Sequence, residues 1–545
     1  MMKNLLLAVA TLGALMPAAA PKCWPRDYGF GSPVCVCSMT YCDFIGDIGD
    51  LPRRAAVAFE STKAGLRFAK TVLFIKTTEP PGKNTLVLVI NSAKTYQEIF
   101  GFGGAFTDAV GLNLRSLPTK LQDALIMSYY SGQGIEYSIG RIPIGSNHFS
   151  VRKYSYDDSP GDMDLKNFTL AEEDLELKIP YLRAAMYVAR QPLWFFGSSW
   201  SSPAWMKSSK KMVGRGHIIG VPGGPFYKTW ANYYVRFLQE YEKRGVPIWG
   251  LTAQNEPSVG MLLHYSKPAL GFTAQTERDF IKLDLGPALA EAGYGASKLK
   301  LMMFDDTRLG IRLWTRTVLG DPEAVKYVHG VAVHGYSDGL AGPGVLDKVH
   351  ENFPDKFILP TEACSGYSRK TGHGVKLGSW ERAEEYAADI LQHLDHWASG
   401  WTDWNLALDT EGGPNWAKYF VDSPIIVNAT AQEFYKQPLY YVLGHFSKFI
   451  PRGSVKVDAR MKEGSEKLEY AAFMTPASAI VVIILNKGDE PVKLRINDVL
   501  GIASIQYTLY ERSITTFVWK NEKQAKSQSN LPPNFKINNT IGQFL

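Results

Sequence analysis

The stretch Ile248-Trp249-Gly250-Leu251-Thr252-Ala253-Gln254 runs into Asn255-Glu256-Pro257, and Phe357-Ile358-Leu359-Pro360-Thr361 runs into Glu362. Each is a short apolar segment of strand length that ends at a carboxylate. Six more segments of strand character accompany them: Glu98–Asp108, Glu136–Gly145, Leu193–Ser199, Lys298–Asp306, Val328–Tyr336 and Gly400–Leu408. With Pro247–Gln254 and Lys356–Ala363 they make eight. Helical patterns fill the intervals. Trp230, Tyr233, Tyr234, Phe237, Leu238 and Tyr241 form an i, i+3, i+4, i+7 stripe, and Tyr386, Ile390, Leu394 and Trp397 form another in the stretch from Arg382. Eight strand–helix units predict an α/β fold, a (β/α)8 TIM barrel rather than an open doubly wound sheet.

The flanks differ. Residues 51–97 and 453–519 carry strand-like runs (Leu86–Ile90, Ala479–Leu485, Ile514–Trp519) with no helical period. They predict one all-β sandwich built from both ends of the chain, since termini often meet in space. The barrel then takes 98–408 plus 438–452. Residues 520–545 are polar, hold Pro532-Pro533 and read as a mobile tail.

The chain has 545 residues, 45% hydrophobic and 21% charged, which excludes a disordered, collagen-like or coiled-coil protein. A net charge of +6 is too mild to imply nucleic acid and permits contact with an acidic membrane surface. Residues 1–20 combine Lys3, an apolar run from Leu5 to Met16 and Ala18-Ala19-Ala20, the pattern of a secretory signal peptide. The run is too short to span a bilayer and no later one is longer, so an integral membrane protein is not expected. Cys23, Cys35, Cys37 and Cys42 cluster at the expected mature start. Four cysteines allow three pairings, and a Cys35–Cys37 bridge is strained. Cys23–Cys35 with Cys37–Cys42 is the chosen pairing, and a zinc site is the rival reading. Sequons at Asn167, Asn428 and Asn538 are compatible with glycosylation.

Barrel active sites lie at the C-terminal ends of the strands. That rule singles out Glu256 and Glu362, which end separate strands and can face each other across the mouth. Glycoside cleavage needs such a pair, a proton donor and a nucleophile. A gap of about 5 Å gives retention of configuration, and a wider one leaves room for water and inversion. Asn255 can donate to a sugar 2-hydroxyl beside the reacting centre. Trp200, Trp205, Tyr336, Trp401 and Trp404 lie at or near strand ends, where flat rings can stack on a sugar. Competing motifs are weaker. Gly335-Tyr336-Ser337-Asp338-Gly339 matches the G-x-S-x-G elbow of esterases, but Leu340-Ala-Gly-Pro-Gly344 is a poor start for the helix that must follow. Cys364 reads as a small buried residue rather than a thiol nucleophile. Gly101-Phe-Gly-Gly-Ala-Phe106 lacks the third glycine of a dinucleotide loop, and no H-E-x-x-H zinc motif occurs.

Larger motifs carry a family resemblance: Phe102-Gly-Gly-Ala-Phe-Thr-Asp108, Thr252-Ala-Gln-Asn-Glu-Pro257, Thr361-Glu-Ala-Cys364, Gly400-Trp-Thr-Asp-Trp-Asn-Leu-Ala-Leu408, Glu411-Gly-Gly-Pro-Asn-Trp416, Tyr435-Lys-Gln-Pro438 and Gly444-His-Phe-Ser-Lys-Phe449. With them the chain resembles the acid β-glucosidases (glucosylceramidases) of glycoside hydrolase family 30 over nearly its whole mature length. The resemblance implies an immunoglobulin-like β-domain beside the barrel and a small sheet joining residues 21–50 to 409–437. It implies retaining hydrolysis of β-glucosyl lipids such as glucosylceramide, with Glu256 as acid/base and Glu362 as nucleophile. It further implies sugar contacts from Trp200, Asn255 and Trp404, and Tyr336 beside the nucleophile. Arg141, Tyr265, His334 and Arg308 fall on matching positions. A lysosomal setting (secretion is the alternative), a membrane-lipid substrate, a saposin-type activator and neither cofactor nor metal are implied as well.

The chain also departs from the pattern. His148 stands where the family has an Asp that grips glucose hydroxyls, and a neutral His accepts one hydrogen bond at most. Gly335 replaces a Trp, and Lys267 replaces an aromatic of the substrate-entry loop. A β-glycosidase with another sugar preference, or a sugar- or lipid-binding protein with little turnover, are therefore the alternative readings.

Overall fold

The structure, a computed structural model, describes residues 23–75, 82–336, 339–367, 372–462, 466–500 and 504–521. The signal-peptide stretch at 1–20, Ser337 of the esterase-like motif, the tail from 522 and Asn538 lie outside these.

Eight parallel strands form the barrel in sequence order: Gly101–Ala105, Ile139–Ile144, Trp194–Ser199, Ile248–Thr252, Lys300–Thr307, Gly330–His334, Phe357–Glu362 and Gly400–Asn405. All eight expected strands are present, seven of them within the expected bounds and the fifth shifted to end one residue later, at Thr307. The eighth pairs with the first, and the ring closes against the seventh through Ser399 N to Ile358 O and Trp404 N to Ala363 O, both 2.8 Å. Each strand is followed by at least one helix. The Trp230–Tyr241 stripe forms the buried face of helix Pro225–Lys243. Helix Trp380–Asp395 stops short of Trp397, which has φ of 72° and lies beyond the helical turn expected to carry it.

Strand periodicity decides what fills the barrel. Ile139, Phe196, Met302, Ala332 and Leu359 form one buried apolar layer, floored by Phe100, Trp249 and Phe357. Two residues further along the same strands, the side chains turn inward again. They are Arg141, Ser198, His334 and Thr361, all fully buried. A polar layer thus sits on an apolar one, at the end where catalytic groups belong. On the fifth strand, pairing with the sixth slips between Phe304 and Asp306. This bulge turns Phe304 out against Trp314 of the next helix and brings Asp305 inward.

Outside the barrel, a nine-stranded sheet combines strands from 55–99 with strands from 454–520 around Leu88, Ile90, Ile480, Val482, Ile484, Phe517 and Trp519. Its longest strand, Leu86–Ile99, leads directly into the first barrel strand. A five-stranded sheet joins Pro25–Arg26 and Val34–Ser38 to Glu433–Lys436, Ile425–Asn428 and Ala407–Asp409. Cys23–Cys35 and Cys37–Cys42 are bridged in it as expected, and Cys364 is free and buried. Among the described residues no helix is long and apolar enough to cross a membrane.

Barrel closure leaves no room for a side chain at Gly400, where a Cβ would lie 2.2 Å from Gly101 O. Gly400→Ala should destabilise the protein by about 3 kcal/mol, whereas Gly295→Ala, with nothing within 4 Å, should stay within about 0.5 kcal/mol. Urea unfolding midpoints compare the two, and equal midpoints would refute this account of closure.

Candidate active site

Arg141 organises the mouth of the barrel. Its guanidinium is fully buried and always charged, so every N–H needs a partner. Nε donates to Ser198 Oγ at 3.2 Å, Nη2 to Asn255 Oδ1 and to Asp305 Oδ2 at 2.8 Å each, and Nη1 to Glu362 Oε2. The cation also lies over Trp200 (4.9 Å) and Trp404 (5.6 Å), whose rings stack 5.1 Å apart. Six strand ends are drawn together by one side chain.

Glu256 and Glu362 do face each other. A carboxylate oxygen from each, with a His334 ring nitrogen, lies within 4.8 Å of the others. His334 bridges Glu256 Oε1 through Nδ1 (3.2 Å) and Asp305 Oδ1 through Nε2 (3.0 Å). Glu362 Oε1 accepts from the Tyr336 hydroxyl at 2.9 Å. Burial would neutralise His334, but the charges of Glu362 and Asp305 and its two hydrogen bonds outweigh it and raise the imidazole to about 10. Burial also opposes the Asp305 charge, yet Arg141 and His334 hold that carboxyl well below its usual range. Glu256 is held down against burial by the His334 hydrogen bond, and burial pushes Glu362 up against His334 and Arg141. The two titrate as a pair. Two cations, Arg141 and His334, balance Asp305 and one further negative charge, so a buried neutral cluster keeps one proton on the two glutamates.

The surroundings divide into a fixed part and a variable part. Asn255 turns Oδ1 to Arg141, which leaves Nδ2 to donate to a ligand. Trp200 Nε1 is buried with no partner. Opposite them, His148 packs edge-on against Trp200 and its Nε2 lies 3.0 Å from the Tyr265 hydroxyl. Lys267 Nζ sits 3.2 Å over the Tyr419 ring.

Three expected aromatic or basic groups go elsewhere. Trp205 Nε1 donates to Asp157 O, Trp401 Nε1 donates to Asp389 on helix Trp380–Asp395, and Arg308 reaches Gln392 on the same helix. Asp305 and Asp306 were not singled out from the sequence, although they close the fifth strand as Glu256 follows the fourth. Asp306 accepts from Ser258 N and Oγ and so anchors the turn after Glu256. Burial and the Glu256 charge raise it to about 6. Of the sequon asparagines, Asn167 is exposed, while Asn428 donates from Nδ2 to the Tyr435 hydroxyl.

The Glu256, His334 and Glu362 trio can offer three ligand atoms to a cation. With His334 raised to about 10, a metal there would have to displace a firmly held proton. Cys37 and Cys42, grouped with Asp43, are spent in a bridge.

Comparison with known proteins agrees with this architecture. The glycosyl hydrolase family 30 TIM-barrel domain matches residues 99–450 and the family 30 β-sandwich domain matches 453–517. Lysosomal acid glucosylceramidase of Mus musculus is 44% identical over 506 residues, covering 92% of this chain and 96% of its own. Among solved structures, SrfJ from Salmonella typhimurium has a TM-score of 0.77 at 24% identity, covering 86% of this chain and all of its own. An endo-β1,6-glucanase has a TM-score of 0.75 at 22% identity, covering 86% and 99%. These two share the fold. Two domain matches spanning the barrel and the sandwich, with a relative alike along almost its whole length, place the chain in glycosyl hydrolase family 30.

Proposed function

We propose that the protein is a retaining β-glucosidase that hydrolyses glucosylceramide-like glycolipids to glucose and ceramide, with Glu362 as nucleophile and Glu256 as acid/base. The observation that carries this reading is the short gap between the two carboxylates, within 4.8 Å. With one oxygen of each this close, the pair goes with the roughly 5 Å separation of direct attack rather than the wider one of an inverting enzyme. The substrate rests on the likeness to the mouse glucosylceramidase.

The pair shares one proton, and from the state that carries it on Glu256, Glu362 attacks the anomeric carbon as the glycosidic C–O bond breaks and Glu256 protonates the departing oxygen. Arg141 and Tyr336 steady the Glu362 carboxylate for attack and stay on it as its charge disappears into the ester. Once Glu362 is neutral, nothing of like charge opposes ionisation of Glu256, so it becomes the base that takes a proton from water. Water then opens the ester and returns the proton to Glu256. Asn255 Nδ2 is placed to hold the sugar hydroxyl next to the reacting carbon.

A secretory, lysosomal protein meeting its lipid at a membrane surface, with a saposin-type activator, completes the proposal. Leu262, Leu263 and Leu340 support it: all are exposed and lie on loops that follow barrel strands at the mouth. Of the two described sequon asparagines, Asn167 is the exposed one and the better candidate for glycosylation.

Glu362→Gln should lose about four orders of magnitude in kcat on every β-glucoside and escape labelling by a cyclitol epoxide. Glu256→Gln should lose about 10²–10⁴-fold on an alkyl glucoside and much less on an aryl glucoside whose leaving group needs no proton. Equal losses of Glu256→Gln on both substrates would contradict its role. His334→Asn removes the cation that favours ionised Glu256 and Glu362. Both carboxyls then rise, so both limbs of the kcat/KM pH profile should move to higher pH by about half a unit or more. Limbs that stay in place, or move to lower pH, would show that His334 does not set these charges.

A further inference from the structure

One wall of the pocket has a polarity of its own. His148 follows the second barrel strand and packs edge-on against Trp200. Burial and the neighbouring Lys267 charge push its imidazole down to about 3, so the ring is neutral. The Tyr265 hydroxyl stays protonated, and we take it to donate to His148 Nε2 at 3.0 Å. That leaves the ring proton on Nδ1, as a free donor. Lys267 Nζ, over Tyr419, makes no ion pair within 4.0 Å among the described residues. The charges of Glu256 and Glu362 act on it, so it lies within electrostatic range of the site. The buried Trp200 Nε1 adds a third donor without a partner. Among the described residues no carboxylate is hydrogen-bonded to any of these three groups.

We infer that this wall is a subsite for a negatively charged substituent on the sugar, a carboxylate or a sulfate ester, with Lys267 as counter-ion and His148 Nδ1 as hydrogen-bond donor. A hydroxyl uses one acceptor position against such a wall and leaves its own hydrogen unplaced. A carboxylate or sulfate offers only acceptors and satisfies all the donors at once. The protein thereby acts on acidic β-glycosides as well as the neutral glucoside. This rests on the Glu256 and Glu362 assignment above.

The test measures kcat/KM on 4-methylumbelliferyl β-D-glucoside, its 6-sulfate and the β-D-glucuronide, using wild type, Lys267→Ala, Lys267→Arg and Glu362→Gln. Wild type should turn over at least one acidic glycoside within about tenfold of the glucoside. Lys267→Ala should lower that acidic substrate at least tenfold more than the glucoside, and Lys267→Arg should recover most of the loss, the size expected of one charge-assisted hydrogen bond. Acidic substrates slower than that, or equal losses on both classes in Lys267→Ala, overturn the inference. So does a Lys267 dependence that follows charge on the aglycone, read with a sulfonated aryl glucoside. Glucoside turnover by the two Lys267 variants reports their folding. Full glucoside activity in Glu362→Gln would instead sink the underlying assignment, while wild-type glucosidase activity with no acidic turnover sinks this inference alone.

Discussion

A single buried cation holds the site together. Arg141 has no access to water, so the fold must supply its counter-charge and acceptors from the ends of other strands, and it does so from the third, fourth, fifth and seventh. Removing one partner would leave a buried charge uncompensated, a cost of several kcal/mol. The same requirement fixes the chemistry. Arg141 locks Glu362 against rotation, turns the Asn255 amide so that its donor faces the ligand, and shares Asp305 with His334, which in turn touches Glu256. The positions of both glutamates thus follow from satisfying one guanidinium.

This arrangement carries strain. Glu256, Phe304 and Asp305 all have positive φ, at 42°, 77° and 56°, in the region that non-glycine residues avoid. The fold holds them from outside. Glu277 accepts from Phe304 N and Trp314 Nε1, and burial raises its carboxyl to about 8. Glu256 N is tied to Asp305 O at 2.9 Å. A regular fifth strand would point Phe304, not Asp305, into the polar layer, and Arg141 and His334 would lose their shared anion. The bulge is the local departure on which the electrostatics depend.

Legibility from sequence followed the range of the interactions involved. Glu256 and Glu362 were readable because an apolar run of strand length ends at each, and the barrel rule says where such ends lie. Asp305 obeys the same rule but hides behind the bulge, since alternation along Leu301–Asp306 assigns the inward direction to the wrong neighbour. Arg141 and His334 entered only through the family resemblance; a lone Arg within an apolar strand has no periodic signature of its partners. Trp401 was credited to the mouth because of its strand, yet it faces the helical layer, one step out of phase with Trp404. The nine-stranded sheet was legible as β-structure, but its strand order joins segments from the two ends of the chain, and no local pattern encodes that pairing.

The division between strand-borne and loop-borne groups explains how the pocket wall can change while the chemistry stays. Tyr265 and Lys267 ride on the outer part of the loop after the fourth strand, which is bound to the loop after the third. Lys207 Nζ caps Met212 O, Gly214 O and Ala269 O, and Gly214 N donates to Lys267 O. Gly260 and Gly271 press backbone to backbone, where a Cβ on Gly260 would come within 2.2 Å of Gly271 N. These contacts fix the loop through main-chain atoms and one ammonium, so they do not depend on which side chain occupies position 267. His148 likewise projects from a turn whose backbone is held by Ser150 and by the Asn147 side chain. Substitution at 148 or 267 therefore alters the polarity of this wall without disturbing the Arg141 network, so under the proposed function selectivity can drift while the glutamate pair stays in place.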